Sequence, residues 1–164
     1  MNLILKNILF TVIIPGTVAV YIPLLLAHDR TPASGPVFFL ALALIGTGAV
    51  IYAWCIEHFA VTGRGTPAPI DAPKKLVIRG PYRYSRNPMY VGVLSVIVGW
   101  SVMFGAINLF IYALCVGTCF HLFVVLYEEP HLRRLFGHEY QAYYKKVNRW
   151  LPHLTGKFRK RTLS

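Results

Sequence analysis

The sequence predicts an all-α, polytopic membrane protein: about four transmembrane helices followed by a C-terminal amphipathic interfacial helix. Three observations carry this. Of the 164 residues, 55% are hydrophobic and only 14% charged, against about a quarter charged in a soluble domain. The apolar residues come in long blocks rather than in alternation. The cations behind the net charge of +11 flank those blocks, as positive-inside topology and anionic headgroups require. The same distribution argues against nucleic acid as a partner, since no readable module accompanies the basic residues. The length fits one domain, 1–164.

The N-terminal part, 1–61, holds two spans. Leu3 to Ala27 is long enough to cross ~30 Å of hydrocarbon, with Lys6 near its start and Pro15 inside, where a kink is expected. Its apolar run is too long for a cleaved signal peptide, and "LLLAHDR" offers no small-x-small site. A short polar turn, "HDRTPASGP", leads to a second span, Gly35 to Val61. Gly46 and Gly48 there permit close helix packing. Glu57 and His58 at its far end are read as a paired interfacial position.

Residues 62–88 form a long loop rich in glycine, proline and cations, the kind that is usually functional or disordered. The hairpin 89–127 follows: a short span from Met89 to Phe104, a tight turn "GAIN", and a span from Leu109 to Tyr127. In the remainder, 128–164, Leu132, Leu135, Phe136, Tyr140, Tyr143, Tyr144 and Val147 recur at intervals of three and four. They give one apolar face, as in an interfacial helix, with a break expected near Gly137. The long loop and the tail carry nearly all the Lys and Arg, so both termini and the 62–88 loop are assigned to the cytoplasmic side.

The cysteines give no disulfide framework, being three in number and all inside apolar runs. Cys55, Cys115 and Cys119 are read as buried small side chains, with no metal site. His121 is read as a helix-packing hydrogen bond, and Tyr143 and Tyr144 as candidates for an aromatic belt.

The chemistry concentrates in "GPYRYSRNPMYVG", residues 80–92. Asn87-Pro88 fits an N-cap followed by proline at the first helical position. Arg83 and Arg86 stand just before a helix N-terminus, where open N–H groups already favour an anion. Guanidinium groups add charge-assisted donors for a carboxylate or phosphate, although headgroup snorkelling would use the same residues. Glu128 and Glu129 end the last span. Two adjacent carboxylates at a membrane boundary must be paired or solvated. They pair with loop cations, or one of them holds a ligand ammonium. The hairpin returns them to the face of Arg86 and Asn87, so an anion site and a cation site lie side by side, as a zwitterionic ligand would need.

This stretch resembles the G-P-Y-x-x-x-R-H-P-x-Y-x-G signature of the isoprenylcysteine carboxyl methyltransferase and phospholipid methyltransferase group. The segment "EEPHLRRLFGHEYQAYYKKVNRWLP" resembles that group's second signature, E-E-x-x-L-x-x-x-F-G-x-x-Y-x-x-Y-x-x-x-V-x-R-x-x-P, at every fixed position. "GRGTPAP" (63–69) is similar to a segment of bacterial-type members. The resemblance covers roughly residues 63–152. One departure is Asn87 where the pattern often has histidine. Asparagine can donate and accept hydrogen bonds but cannot titrate.

The resemblance implies an integral membrane methyltransferase using S-adenosyl-L-methionine and a lipophilic acceptor. It implies a cofactor pocket lined by Tyr82, Arg86, Asn87, Pro88 and Tyr90. Glu128 or Glu129 would hold the cofactor amine, Tyr140 and Tyr144 would close the site, and Arg149 would stand near the acceptor. The candidate catalytic residues are Arg149, Glu128 and Glu129. O-methylation of an isoprenylcysteine-like carboxylate is the leading expectation, and N-methylation of an aminophospholipid the alternative. A non-catalytic scaffold or transporter subunit is the alternative of another class.

Overall fold

A computed structural model describes residues 3–59 and 76–151. Among them the secondary structure is helical throughout. α1 (Leu3–Gly16) runs through a π-helical turn (Thr17–Tyr21) into α2 (Ile22–Leu26), and α3 spans Pro36–His58. A 3₁₀ turn (Gly80–Arg83) precedes α4 (Pro88–Phe104) and α5 (Ile107–Phe123), and a second π turn (Val124–Glu128) runs into α6 (Glu129–Lys146). α3 and the continuous rod from Ile107 are long and apolar enough to cross a membrane; α4 and the run ending at Leu26 are apolar but shorter.

Proline explains both π turns. Pro23 and Pro130 each follow a π turn by two residues. A proline ring clashes with the carbonyl four residues back and has no N–H to give it. Widening the turn relieves the clash: Ile22 N–H bonds to the Thr17 carbonyl and Glu129 N–H to that of Val124, five residues back. A kink was expected at Pro15, but α1 runs through it to Gly16, and the irregularity of this span is the π turn at 17–21 set by Pro23. Its carbonyls take donors from other helices, as a low-dielectric setting demands. Tyr112 Oη donates to the Val18 carbonyl at 2.9 Å and Trp100 Nε1 to that of Ala19 at 3.0 Å.

α3 and α4 pack backbone to backbone through glycine. A Cβ on Gly48 would lie 2.5 Å from the Gly92 carbonyl, and one on Gly92 would lie 2.8 Å from that of Gly48. Gly99 meets Ile45 and the Ala41 carbonyl in the same way. Gly46 has no such neighbour, so the expected role for glycine in this span falls to Gly48 alone. Ile97, completely buried, lies in the core these helices share with Ala19 and Ala113.

The α4–α5 hairpin turns at Gly105, whose φ of 55° is left-handed and suits glycine. α5 begins at Ile107, inside the expected turn. Cys55 is buried, but Cys115 and Cys119 are exposed on the outer side of α5, which corrects the expectation that all three are buried. The helix presents that side to its surroundings rather than to α4.

The described end of the long loop is not slack. Val77 and Tyr82 pack with Cys55 in one buried cluster. His58 forms the seat of the turn: a Cβ on Gly80 would lie 2.6 Å from its Nε2. "GRGTPAP", Pro152 and the basic end of the tail lie outside the described residues. α6 bends at Gly137 (φ 49°, ψ −120°), where the break was expected. The bend resets the helical phase, so Tyr140, Tyr143 and Val147 are buried while Leu135 is left exposed.

Candidate functional site

The site forms where the 3₁₀ turn, the start of α4, the end of α5 and α6 converge, closed by the segment after Lys146. That segment is extended from Val147 and lies against residues 85–87. Arg86 N–H donates to the Asn148 carbonyl at 2.9 Å. Ser85 Oγ and Asn87 Nδ2 both donate to the Arg149 carbonyl, at 3.0 and 3.1 Å. Asn87 is therefore not the side-chain cap of α4 that the sequence suggests; no cap bond forms, and its amide ties down the closing segment instead.

This strap delivers Arg149 to Glu129. Arg149 Nε lies 2.8 Å from Oε1 and Nη2 3.0 Å from Oε2, a bidentate fork. Arg86 Nη1 comes within 3.0 Å of the same Oε1. The side chains of Arg86 and Glu129 are each only 7% exposed. A buried carboxylate needs such partners, because desolvation costs several kcal/mol per ion. The hydrogen bonds to Glu129 raise Arg149 above its ordinary pKa.

Arg86 remains under-used. Its Nη1 is near Glu129 but misaligned for a hydrogen bond, and Nε and Nη1 are both buried with no hydrogen-bond acceptor among the described residues. Leaving such donors unmet is costly, and more so for charged groups. The guanidinium is held in place by the Tyr144 ring, 3.9 Å from its centroid, with Arg133 over the same ring at 4.6 Å.

Glu128 is set apart from this triad. Tyr90 Oη donates to its Oε2 at 2.9 Å. The Tyr90 ring packs 4.6 Å from Phe120 and 6.5 Å from Trp150. Trp150 Nε1 reaches His121 Nδ1 at 3.3 Å.

The sequence-predicted residues thus separate into two groups. Arg86, Asn87, Tyr90, Glu128, Glu129, Tyr144 and Arg149 come together. Tyr82 is buried behind them, packed edge-on to Phe59 at 5.5 Å, while Tyr140, 2% exposed, lies beneath the cluster against Arg86. Pro88 is buried at the start of α4 and offers no polar group. Tyr143 does not join an aromatic belt; its Oη donates to the Tyr82 carbonyl at 2.7 Å. Burial pushes the phenols of Tyr82, Tyr140 and Tyr143 above their ordinary pKa. Ser85, Trp150 and Phe120 were not foreseen. Ser85, two residues before a helix-starting Asn-Pro, carries a recognisable turn signal; Trp150 and Phe120 carry none.

Fold and site together define a class: a helical protein with membrane-length apolar helices and a buried polar cluster at one end of a helical hairpin. Comparison with known proteins places it further. Residues 36–139 match the phospholipid methyltransferase family, and the chain belongs to that family. Two rice proteins (Oryza sativa subsp. indica and subsp. japonica), each named "Probable protein-S-isoprenylcysteine O-methyltransferase", are 38% identical over 79 residues, 48% of this chain and 41% of theirs. "Phosphatidylethanolamine N-methyltransferase B" of Dictyostelium discoideum is 29% identical over 105 residues, 62% of this chain and 50% of its own length. The chain therefore spans half or less of the length of these relatives.

Proposed function

We propose that this chain is an integral membrane methyltransferase that takes a methyl group from S-adenosyl-L-methionine and gives it to a lipophilic acceptor. The observation that carries the proposal is the buried Arg86 guanidinium beside the N-terminus of α4, whose Nε has no hydrogen-bond partner among the described residues and whose Nη1 makes only an ion pair with Glu129. It fits the carboxylate of an amino-acid moiety. Glu128 fits its ammonium, because both oxygens of Glu129 already face Arg149. Tyr90 offers an aromatic ring to a cation, whereas the Tyr144 ring is taken by Arg86 and Arg133. When bound, the cofactor supplies an electrophilic methyl group on a sulfonium. The residues' own task is to bind, orient and exclude water, which can supply much of the rate of an in-line displacement. Arg149 and Trp150 close the site as part of the strap.

O-methylation of an isoprenylcysteine-like carboxylate is the leading reading, supported by the rice relatives. Such an acceptor is already ionised and needs no base. N-methylation of an aminophospholipid, supported by the Dictyostelium relative, needs a proton acceptor; Glu128 would serve there only if it did not hold the cofactor's ammonium. The topology that fits is four spans, with both termini and the 62–88 loop cytoplasmic.

Calorimetric titration of detergent-purified protein with S-adenosylhomocysteine tests the reading. Saturable binding that Arg86→Ala and Glu128→Ala both abolish is the expected result. No binding to protein shown to be folded would favour a scaffold that keeps the family's shape.

A further inference from the structure

The apolar face of α6 is spent on protein contacts. Tyr140, Tyr143 and Val147 are buried in one cluster, with Leu132, Phe136 and Tyr144 packed against it. The rod that runs from α5 into α6 presents a different face outward. Phe123, Tyr127 and His131 follow one another at intervals of four along it, and all three are exposed. Their rings form a ladder. Phe123 lies 5.2 Å from Tyr127, and Tyr127 lies 5.9 Å from His131, the last pair within 3° of parallel.

Length puts this ladder at a boundary. Twenty residues separate Ile107, the start of α5, from Tyr127. That is ~30 Å of helix at ~1.5 Å per residue, the thickness of the hydrocarbon core. With Ile107 at one edge, Tyr127 falls at the other, a depth that suits an amphipathic ring. The next turn then lies in the headgroup layer. It carries His131 and, three residues on, Arg134, both exposed. Among the described residues neither has a hydrogen-bond or ion-pair partner. The neighbouring Arg133 is engaged over the Tyr144 ring instead. The chain has few acids to offer, with six Asp and Glu against a net charge of +11, and Glu128 and Glu129 are already bonded.

We infer that His131 and Arg134 form a site for the phosphate of an anionic phospholipid, held at headgroup depth by Tyr127 and by Phe123 in the hydrocarbon beneath. Arg134 supplies a guanidinium fork and His131 a ring N–H, both suited to phosphate oxygens. A zwitterionic lipid answers its phosphate with its own ammonium, so an anionic headgroup is the better match to unpaired cations. The inference rests on α5 crossing a membrane and is independent of methyl transfer.

In the test, the detergent-purified full chain is offered equimolar phosphatidylglycerol and phosphatidylcholine of the same acyl chains, and bound lipid is counted by native mass spectrometry. The parent should retain phosphatidylglycerol about fivefold over phosphatidylcholine, and His131→Ala/Arg134→Gln should bring the ratio close to one. Lys145→Gln/Lys146→Gln removes charge from exposed positions beyond the Gly137 bend and should leave the ratio unchanged. All four side chains are exposed, so both variants should keep the parent's thermal midpoint. An even ratio in the parent, an equal loss in the lysine pair, or displacement of the bound lipid by soluble glycerol 3-phosphate would each overturn the inference. The first would show no selectivity, the second diffuse charge, and the third a site for free anions. Alkaline carbonate extraction of membranes checks the footing. Protein released to the supernatant would sink the crossing by α5 and this inference with it, whatever S-adenosylhomocysteine binding shows.

Discussion

Glu129 and Arg149, twenty residues apart in the chain, are joined by two hydrogen bonds of 2.8 and 3.0 Å. The fork ties the start of α6 to the strap beyond its end. Removing one member leaves charge stranded in a buried place, which typically costs ~3–5 kcal/mol. Glu129→Ala should therefore lower the thermal midpoint in detergent sharply. Arg149→Lys should rescue little, because an ammonium cannot reproduce a planar fork. A double-mutant cycle between the two positions should give a coupling of at least ~1 kcal/mol; additive effects would show that the fork is not formed in solution.

Tyr144 holds the guanidinium of Arg86 from one face. Tyr144→Phe keeps the ring and should keep S-adenosylhomocysteine affinity within about twofold, whereas Tyr144→Leu should lose roughly 0.5–2 kcal/mol of it. Equal affinities in the two variants would show that the ring does not position Arg86.

Gly92 and Gly46 give opposite outcomes for the same change. Gly92→Ala drives a methyl group against the Gly48 carbonyl at 2.8 Å and should destabilise by roughly 1–3 kcal/mol. Gly46→Ala meets nothing within 4 Å and should be neutral or stabilising by up to about 1 kcal/mol through helix propensity. Paired melting curves decide, and equal midpoints would dismiss the close α3–α4 approach.

Tyr82 and Tyr143 set an alkaline limit. Burial raises both phenols above their ordinary value. The stability this represents is fully present below the unfolded pKa of about 10 and is lost as pH rises through the folded value. Melting temperature should fall with pH above about 10. Tyr143→Phe should cost about 1 kcal/mol at neutral pH, through the lost bond to the Tyr82 carbonyl, and should flatten the alkaline decline.

Ser85 and Asn87 share the Arg149 carbonyl. The double variant Ser85→Ala/Asn87→Leu should free the strap, seen as faster proteolysis after Lys146. Amide exchange at Asn148 and Arg149 that stays as slow as in the parent would count against the tether.

The sequence alone determined the helical class, the hairpin that returns Glu128 and Glu129 to Arg86, and the break at Gly137. These follow from hydropathy, connectivity and the absence of a side chain, which are local properties of the chain. Its two signatures also contain Arg86, Tyr90, Glu128, Glu129 and Arg149, which meet. The tertiary structure decided what each does there. Glu129 is spent on two arginines and Asn87 on a carbonyl sixty-two residues away, while Arg86 keeps donors to spare. Residue spacing fixes which groups can approach one another. Which pair of hydrogen-bonding atoms wins depends on distances and desolvation in the packed state, set by a strap whose path no local pattern encodes.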